Sequence, residues 1–193
     1  MASAFTHAAA ALALGTAFSR PGGPARFWAL GALCAALPDV DVVAFRALPD
    51  VDVVAFRFGV PYAHVLGHRG LTHSLLFAAL LAAAVVATAF RGAEWRGARG
   101  QLWTFFFLAT ASHGVLDAMT SGGRGGAFFA PLDDTRYFLP WRPILVSPIG
   151  VRRFFQGRGL AVLASELRWV WLPAGAFAMC ALALRARVAR SRA

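Results

Sequence analysis

"GHRGLTHSLLFAALLAAAVVATAF", residues 67–90, decides the fold. Residues 72–90 form an apolar run of about the length that the hydrocarbon core of a bilayer requires. Just before it stand two histidines and an arginine, His68, Arg69 and His73. Gly67 and Gly70 allow a tight turn there, and Thr72 is placed to cap a helix beginning near His73. Ligand-type side chains thus open directly onto a membrane-length helix.

Working outward, residues 102–119 and 160–184 are two further runs of spanning length, the second with Glu166 and Arg168 near its start. Residues 4–18 and 27–37 are shorter. Pro21-Gly22-Gly23-Pro24 ends the first and Pro38 stops the second. These two form a tight hairpin that crosses or re-enters the bilayer, protected by the longer helices. The expected fold is an all-α polytopic membrane protein of about three full spans plus a short N-terminal helical hairpin, with residues 1–193 as one domain. A hydrophobic share of 59% and a mean hydropathy of +0.60 agree, since soluble domains are less apolar. The N-terminal run lacks a basic stretch before it, and Arg20 follows it, so it reads as a retained helix and not a signal peptide. Cys34 and Cys180 lie inside apolar runs and read as small core residues.

The net charge is +10 and every basic residue is Arg. In a soluble protein that balance would suggest nucleic acid. Here the arginines lie between apolar runs and no nucleic-acid motif is present, so the expected partners are membrane lipids. Arg20 and Arg26, the segment 91–100, and Arg185, Arg187, Arg190 and Arg192 fall on one side if helices alternate in direction, and that side reads as cytoplasmic. The segments 38–71 and 120–159 fall on the outer side, although they carry arginines too. Tyr137, Trp141, Trp169 and Trp171 suit an interfacial belt there.

The same alternation gathers the histidines and aspartates. His7 opens the first helix, Asp39 and Asp41 follow the second, His68 and His73 precede the third, and His113 and Asp117 end the fourth. All fall on the outer side, and the opposite loops hold neither residue type. Ionisable groups beside apolar spans are costly, so their convergence points to a site. His113 and Asp117, at i and i+4, share a helical face. Imidazole and carboxylate donors suit a divalent transition metal, Zn or Mn. The expected ligands are His7, Asp39, Asp41, His68, His73, His113 and Asp117, with Asp41 also a general base and Arg69 holding a substrate anion. His64 reads as surface, Asp133 and Asp134 as a turn, and Glu166 as an interfacial group or a partner of the ligands.

The unit ALPDVDVVAFR occurs twice in succession, at residues 36–46 and 47–57. If the second copy served the site, the first would lengthen helix two by roughly 16 Å. It would also carry Asp39 and Asp41 into the membrane at roughly 2.5–3.5 kcal/mol each. Lengthening a loop instead costs under about 1 kcal/mol. Asp39 and Asp41 are therefore the expected pair, with Asp50 and Asp52 the alternative.

"THAAAALALG", "LPDVDVVAF", "FGVPY", "GHRGLTHSLLFA", "SHGVLDAMTSGG" and "SELRWVWLP", in this order, resemble the YdjM/YbcI-type family of inner-membrane proteins classed as metal-dependent hydrolases and also described as LexA-binding. The resemblance covers nearly the whole chain. It implies a small multi-span protein of the bacterial inner membrane with a metal site, and it carries the ligand role to the residues named above. The family pattern has a single LPDxD unit, from which this chain departs. The reading that follows is a hydrolase acting on a lipid-linked or membrane-proximal ester or phosphoester at the outer face. The alternative is a non-enzymatic metal-binding scaffold or ion/proton relay.

Overall fold

The computed structural model describes residues 1–19, 23–41, 69–123, 125–133, 135–148 and 151–191. Among these the secondary structure is helical, apart from two isolated bridges. Helix α1 (Ala4–Phe18) starts at Ser3, whose hydroxyl accepts from the Thr6 amide. Helix α2 (Ala25–Ala36) starts behind Pro24 and passes into a 3-10 turn, Leu37–Asp39, with Pro38 in its opening positions. Helix α3 (Leu75–Ala89) follows a second 3-10 turn, Leu71–His73. Its cap is Ser74, which accepts from Phe77 N at 3.0 Å. The cap expected at Thr72 is thus displaced by two residues, because the Thr72 hydroxyl is drawn to Asp41. Helix α4 (Arg99–Ala118) follows a 3-10 segment, Ala93–Ala98.

These four helices alternate in direction, and α4 packs on the other three. Their core is Phe27, Phe90, Leu102, Phe105 and Phe106 against the small faces of Ala11, Ala82 and Ala109. Phe27 stacks on Phe105 with ring centroids 4.3 Å apart. Glycines make this closeness possible: a Cβ on Gly31 would lie 2.6 Å from the Phe105 ring.

After α4 an irregular segment folds back on its end. Thr120 bridges Ile144, and Leu139 N donates to Ala118 O at 3.0 Å. Asp133 makes the expected turn, accepting from Thr135 N and Tyr137 Oη, and these bonds hold its carboxyl below the usual range. A short α5 (Val151–Gln156) leads into α6 (Gly159–Glu166), a π-helical segment (Leu167–Trp171) and α7 (Leu172–Arg190). The last three form one helix of 32 residues, long and apolar enough to cross a membrane.

That helix runs parallel to α1 and grips it at both ends. Glu166 meets the N-terminus of α1, accepting from Ser3 N, Ser3 Oγ and Thr6 Oγ1. Arg185 donates to Thr16 O and Ser19 Oγ at the C-terminus. Each charge complements the helix end it touches. Cys180 points outward on this helix, contrary to the expected core position, because α7 buries none of its side chains against the protein. The expectation of three full spans is narrowed in the same way. Of the described helices only the 32-residue one has both the length and the hydropathy. α3 is 15 residues long, and α4, at 20, is interrupted by Arg99, Gln101, His113 and Asp117.

The tight glycine contact can be checked directly. Gly31→Ala should lower stability by about 1–3 kcal/mol through overpacking against Phe105. Gly175→Ala, where an added Cβ meets nothing within 4 Å, should be neutral or stabilise by up to about 1 kcal/mol. Thermal unfolding in detergent micelles measures both.

Candidate metal centre

Four chain segments deliver side chains to one end of the helical bundle. The first turn of α1 brings His7, and the turn that prolongs α2 brings Asp39 and then Asp41. The turn before α3 brings Arg69, Thr72 and His73. The last turns of α4 bring His113 and Asp117, one helical turn apart. Asp39, His73, His113 and Asp117 each offer one ligand atom, and these atoms lie within 4.8 Å of one another.

The contacts within the group are short but loosely satisfied. His113 Nε2 is 3.3 Å from Asp39 Oδ1 and 3.9 Å from Asp117 Oδ2. His73 Nε2 is 3.6 Å from the same Asp117 oxygen. His7 stacks on His113 with centroids 3.6 Å apart, its Nε2 3.6 Å from Asp117 Oδ1. Among the described residues, both ring nitrogens of His7, Nε2 of His113 and both Asp39 oxygens are buried without a hydrogen bond. Buried polar atoms are rarely left so unless something else satisfies them. With nitrogen and oxygen donors at this separation, a divalent cation fits that need, and the group could hold one.

Outer contacts aim the ligands. His113 Nδ1 meets Ala35 O at 2.7 Å, which turns Nε2 inward. His73 Nδ1 is 3.0 Å from Thr72 Oγ1 and 3.7 Å from Asp41 Oδ2, which likewise leaves Nε2 facing Asp117. Asp41 Oδ2 also accepts from Arg69 N at 3.0 Å and Thr72 Oγ1 at 3.2 Å. The two carboxylates of the Pro-Asp-Val-Asp unit are therefore divided: Asp39 stands with the ligand atoms, and Asp41 stands behind His73. Such outer contacts fix ring orientation at metal sites.

A family model described as YdjM inner membrane protein matches residues 1–190. The chain belongs to the YdjM family. It is 38% identical over 173 residues to inner membrane protein YbcI of Escherichia coli (strain K12), across 90% of this chain and 92% of that protein. No solved structure matches it. As a YdjM-family member the chain is an inner-membrane protein, which accounts for the apolar surface of its longest helix.

Of the residues expected at the site in this YdjM-family chain, the structure brings together His7, Asp39, Asp41, Arg69, His73, His113 and Asp117. His68, His64, Asp50 and Asp52 lie outside the described residues. Sequence reading placed no partner on Thr72 and left Glu166 between two roles. Glu166 is fully buried at the start of α1, one turn from His7, and Trp171 Nε1 donates to Thr6 Oγ1 beside it at 2.7 Å. An acidic residue inside an apolar run was the available signal; its partners, about 160 residues away, were not. Glu166→Ala would remove the acceptor of three buried hydrogen bonds and should cost about 3 kcal/mol in thermal unfolding. Glu94→Ala, at an exposed position, should cost under about 0.5 kcal/mol.

Proposed function

We propose that this YdjM-family protein is a metal-dependent hydrolase of the inner membrane, acting on a membrane-proximal ester or phosphoester. The observation that carries the reading is the quartet of half-buried Asp39 with buried His73, His113 and Asp117, whose ligand atoms lie within 4.8 Å of one another. A divalent ion there, Zn or Mn by its donors, supplies Lewis acidity and activates water at neutral pH. The chain's own groups do the rest. Asp41 works through His73, holding its Nδ1 side so that Nε2 stays inward. His7, with both nitrogens free of hydrogen bonds, is placed to take and return a proton beside Asp117.

We further read the chain as multi-pass, one domain, with the site on the periplasmic side. In this reading the short arginine-bearing segments at the opposite end, with Arg91, Arg96 and Arg99 and with Arg185, Arg187 and Arg190, are cytoplasmic, and Trp169 and Trp171 are interfacial near the site end; the site-end segments carry as many arginines. In that arrangement α3, α4 and the 32-residue helix are the spans, and α1 with α2 is the hairpin they shelter.

Metal analysis of the purified full chain tests the reading. The expected result is a divalent ion that is lost from the double variant Asp39→Ala/His113→Ala and kept in Asp50→Ala/Asp52→Ala. Chelation should also lower the unfolding temperature, with recovery on readdition of metal, because an ion bound only to the folded state stabilises it. Undiminished metal in the Asp39/His113 variant would rule the site out.

A further inference from the structure

Arg69 is built into the protein at a cost. Its side chain is 1% exposed, and its backbone has φ +62, the left-handed region that non-glycine residues avoid. Its Nε makes an ion-pair contact with Asp117 Oδ2 at 2.9 Å, and among the described residues Nη1 and Nη2 have no hydrogen-bond partner. A guanidinium carries five donors in a fixed fork, so burial leaves most of this one unsatisfied. Strained backbone and unsatisfied buried donors both collect at functional sites.

The surroundings keep the fork in place. The Arg69 amide donates to Asp41 and its carbonyl accepts from Ala127 N at 3.0 Å. Nη1 lies against Gly123, whose own φ is +96. A Cβ at that glycine would come within 2.6 Å of Nη1. Gly123 is itself exposed, so among the described residues a backbone without a side chain lies between the fork and solvent on this side.

From this arrangement we infer that Arg69 and the Gly123 turn form an oxyanion subsite for a phosphoryl group, adjoining the metal quartet. The inference rests on the proposed hydrolase reading and narrows its substrate to phosphoesters. The chemistry discriminates between the two ester classes. A neutral carboxylic ester brings no charge to a buried guanidinium and can occupy few of its donors. A phosphoryl group brings negative charge and several acceptor oxygens, which an arginine fork engages in pairs. Asp117 then serves both neighbours, holding the guanidinium through Nε while facing the ligand histidines.

Binding and metal content are measured separately on the detergent-solubilised full chain, so the two readings can fail independently. The probe is orthophosphate, followed by calorimetry on wild type and on Arg69→Gln and Arg69→Lys. Metal analysis accompanies each. The expected result is phosphate binding that weakens roughly 10- to 100-fold in Arg69→Gln, the loss of charged hydrogen bonds, with partial recovery in Arg69→Lys and metal retained in all three. Acetate at equal concentration should compete poorly. Competition by glycerol phosphate and not by phosphatidic acid in nanodiscs marks a soluble source of the phosphoryl group, and the reverse marks a lipid headgroup; either supports the subsite. Phosphate binding that is absent, or unchanged in Arg69→Gln, or displaced equally by acetate, overturns the subsite and leaves the metal reading standing. Arg69-dependent phosphate binding by a chain that takes up no metal supports the subsite and sinks the metal reading.

Discussion

A carboxylate with no exposure to solvent is the constraint around which this protein is arranged. Asp117 is fully buried, and an ion so placed forfeits several kcal/mol of solvation unless charges and donors around it replace the water. The replacements come from every part of the bundle. Ala2 N donates to Oδ1 at 2.9 Å, Arg69 Nε lies 2.9 Å from Oδ2, and His7, His73 and His113 surround the rest. A single side chain therefore fastens the N-terminus, the turn before α3 and the end of α4 to one another. The candidate site is not an addition to the fold; the contacts that build it also close this end of the bundle.

The opposite pole shows why such polar fastening matters. Between helices in a bilayer the hydrophobic effect supplies little drive, since lipid is as apolar as the core. Close packing of small residues takes part of that burden, as where Gly15 meets Trp28 and Gly31 meets Phe105. The rest falls to specific bonds. α1 has no acidic residue in its first turn and no basic residue in its last. The long helix supplies both from outside, Glu166 at the start and Arg185 at the end. His7 therefore stands on a helix whose position depends on two charges far away in sequence.

How much of this could be read from the sequence follows from which features are local. The bounds of α1 agree residue for residue, because its end is written in Pro21-Gly22-Gly23-Pro24. The meeting of His7, Asp39, His73, His113 and Asp117 at one end follows from counting helix reversals. What escaped reading depends on partners distant in the chain. Thr72 looks like a cap until Asp41 claims its hydroxyl, and Ser74 then caps α3. The left-handed Arg69 is intelligible only with Gly123 beside it. Glu166 gives no hint of Ser3 and Thr6. Of the three spans expected, the length and hydropathy of the described helices bear out the 32-residue one alone, because α3 and α4 are shorter or more polar than their apolar runs.

The duplicated unit illustrates the same distinction. From the sequence, a loop insertion costs less than placing two aspartates in a membrane, which favours the first copy. In the structure the first copy lies beside His113, while Asp50 and Asp52 of the second lie outside the described residues. The ring of His113 meets Ala35 O through Nδ1 and faces Asp39 Oδ1 through Nε2. One imidazole thus spans the last turn of α2 and the carboxylate just beyond it, in the 3-10 turn that Pro38 opens. That geometry requires the carboxylate to follow directly on the helix that carries the carbonyl. The copy that continues α2 without interruption has that placement, and among the described residues Asp39 is the carboxylate it delivers.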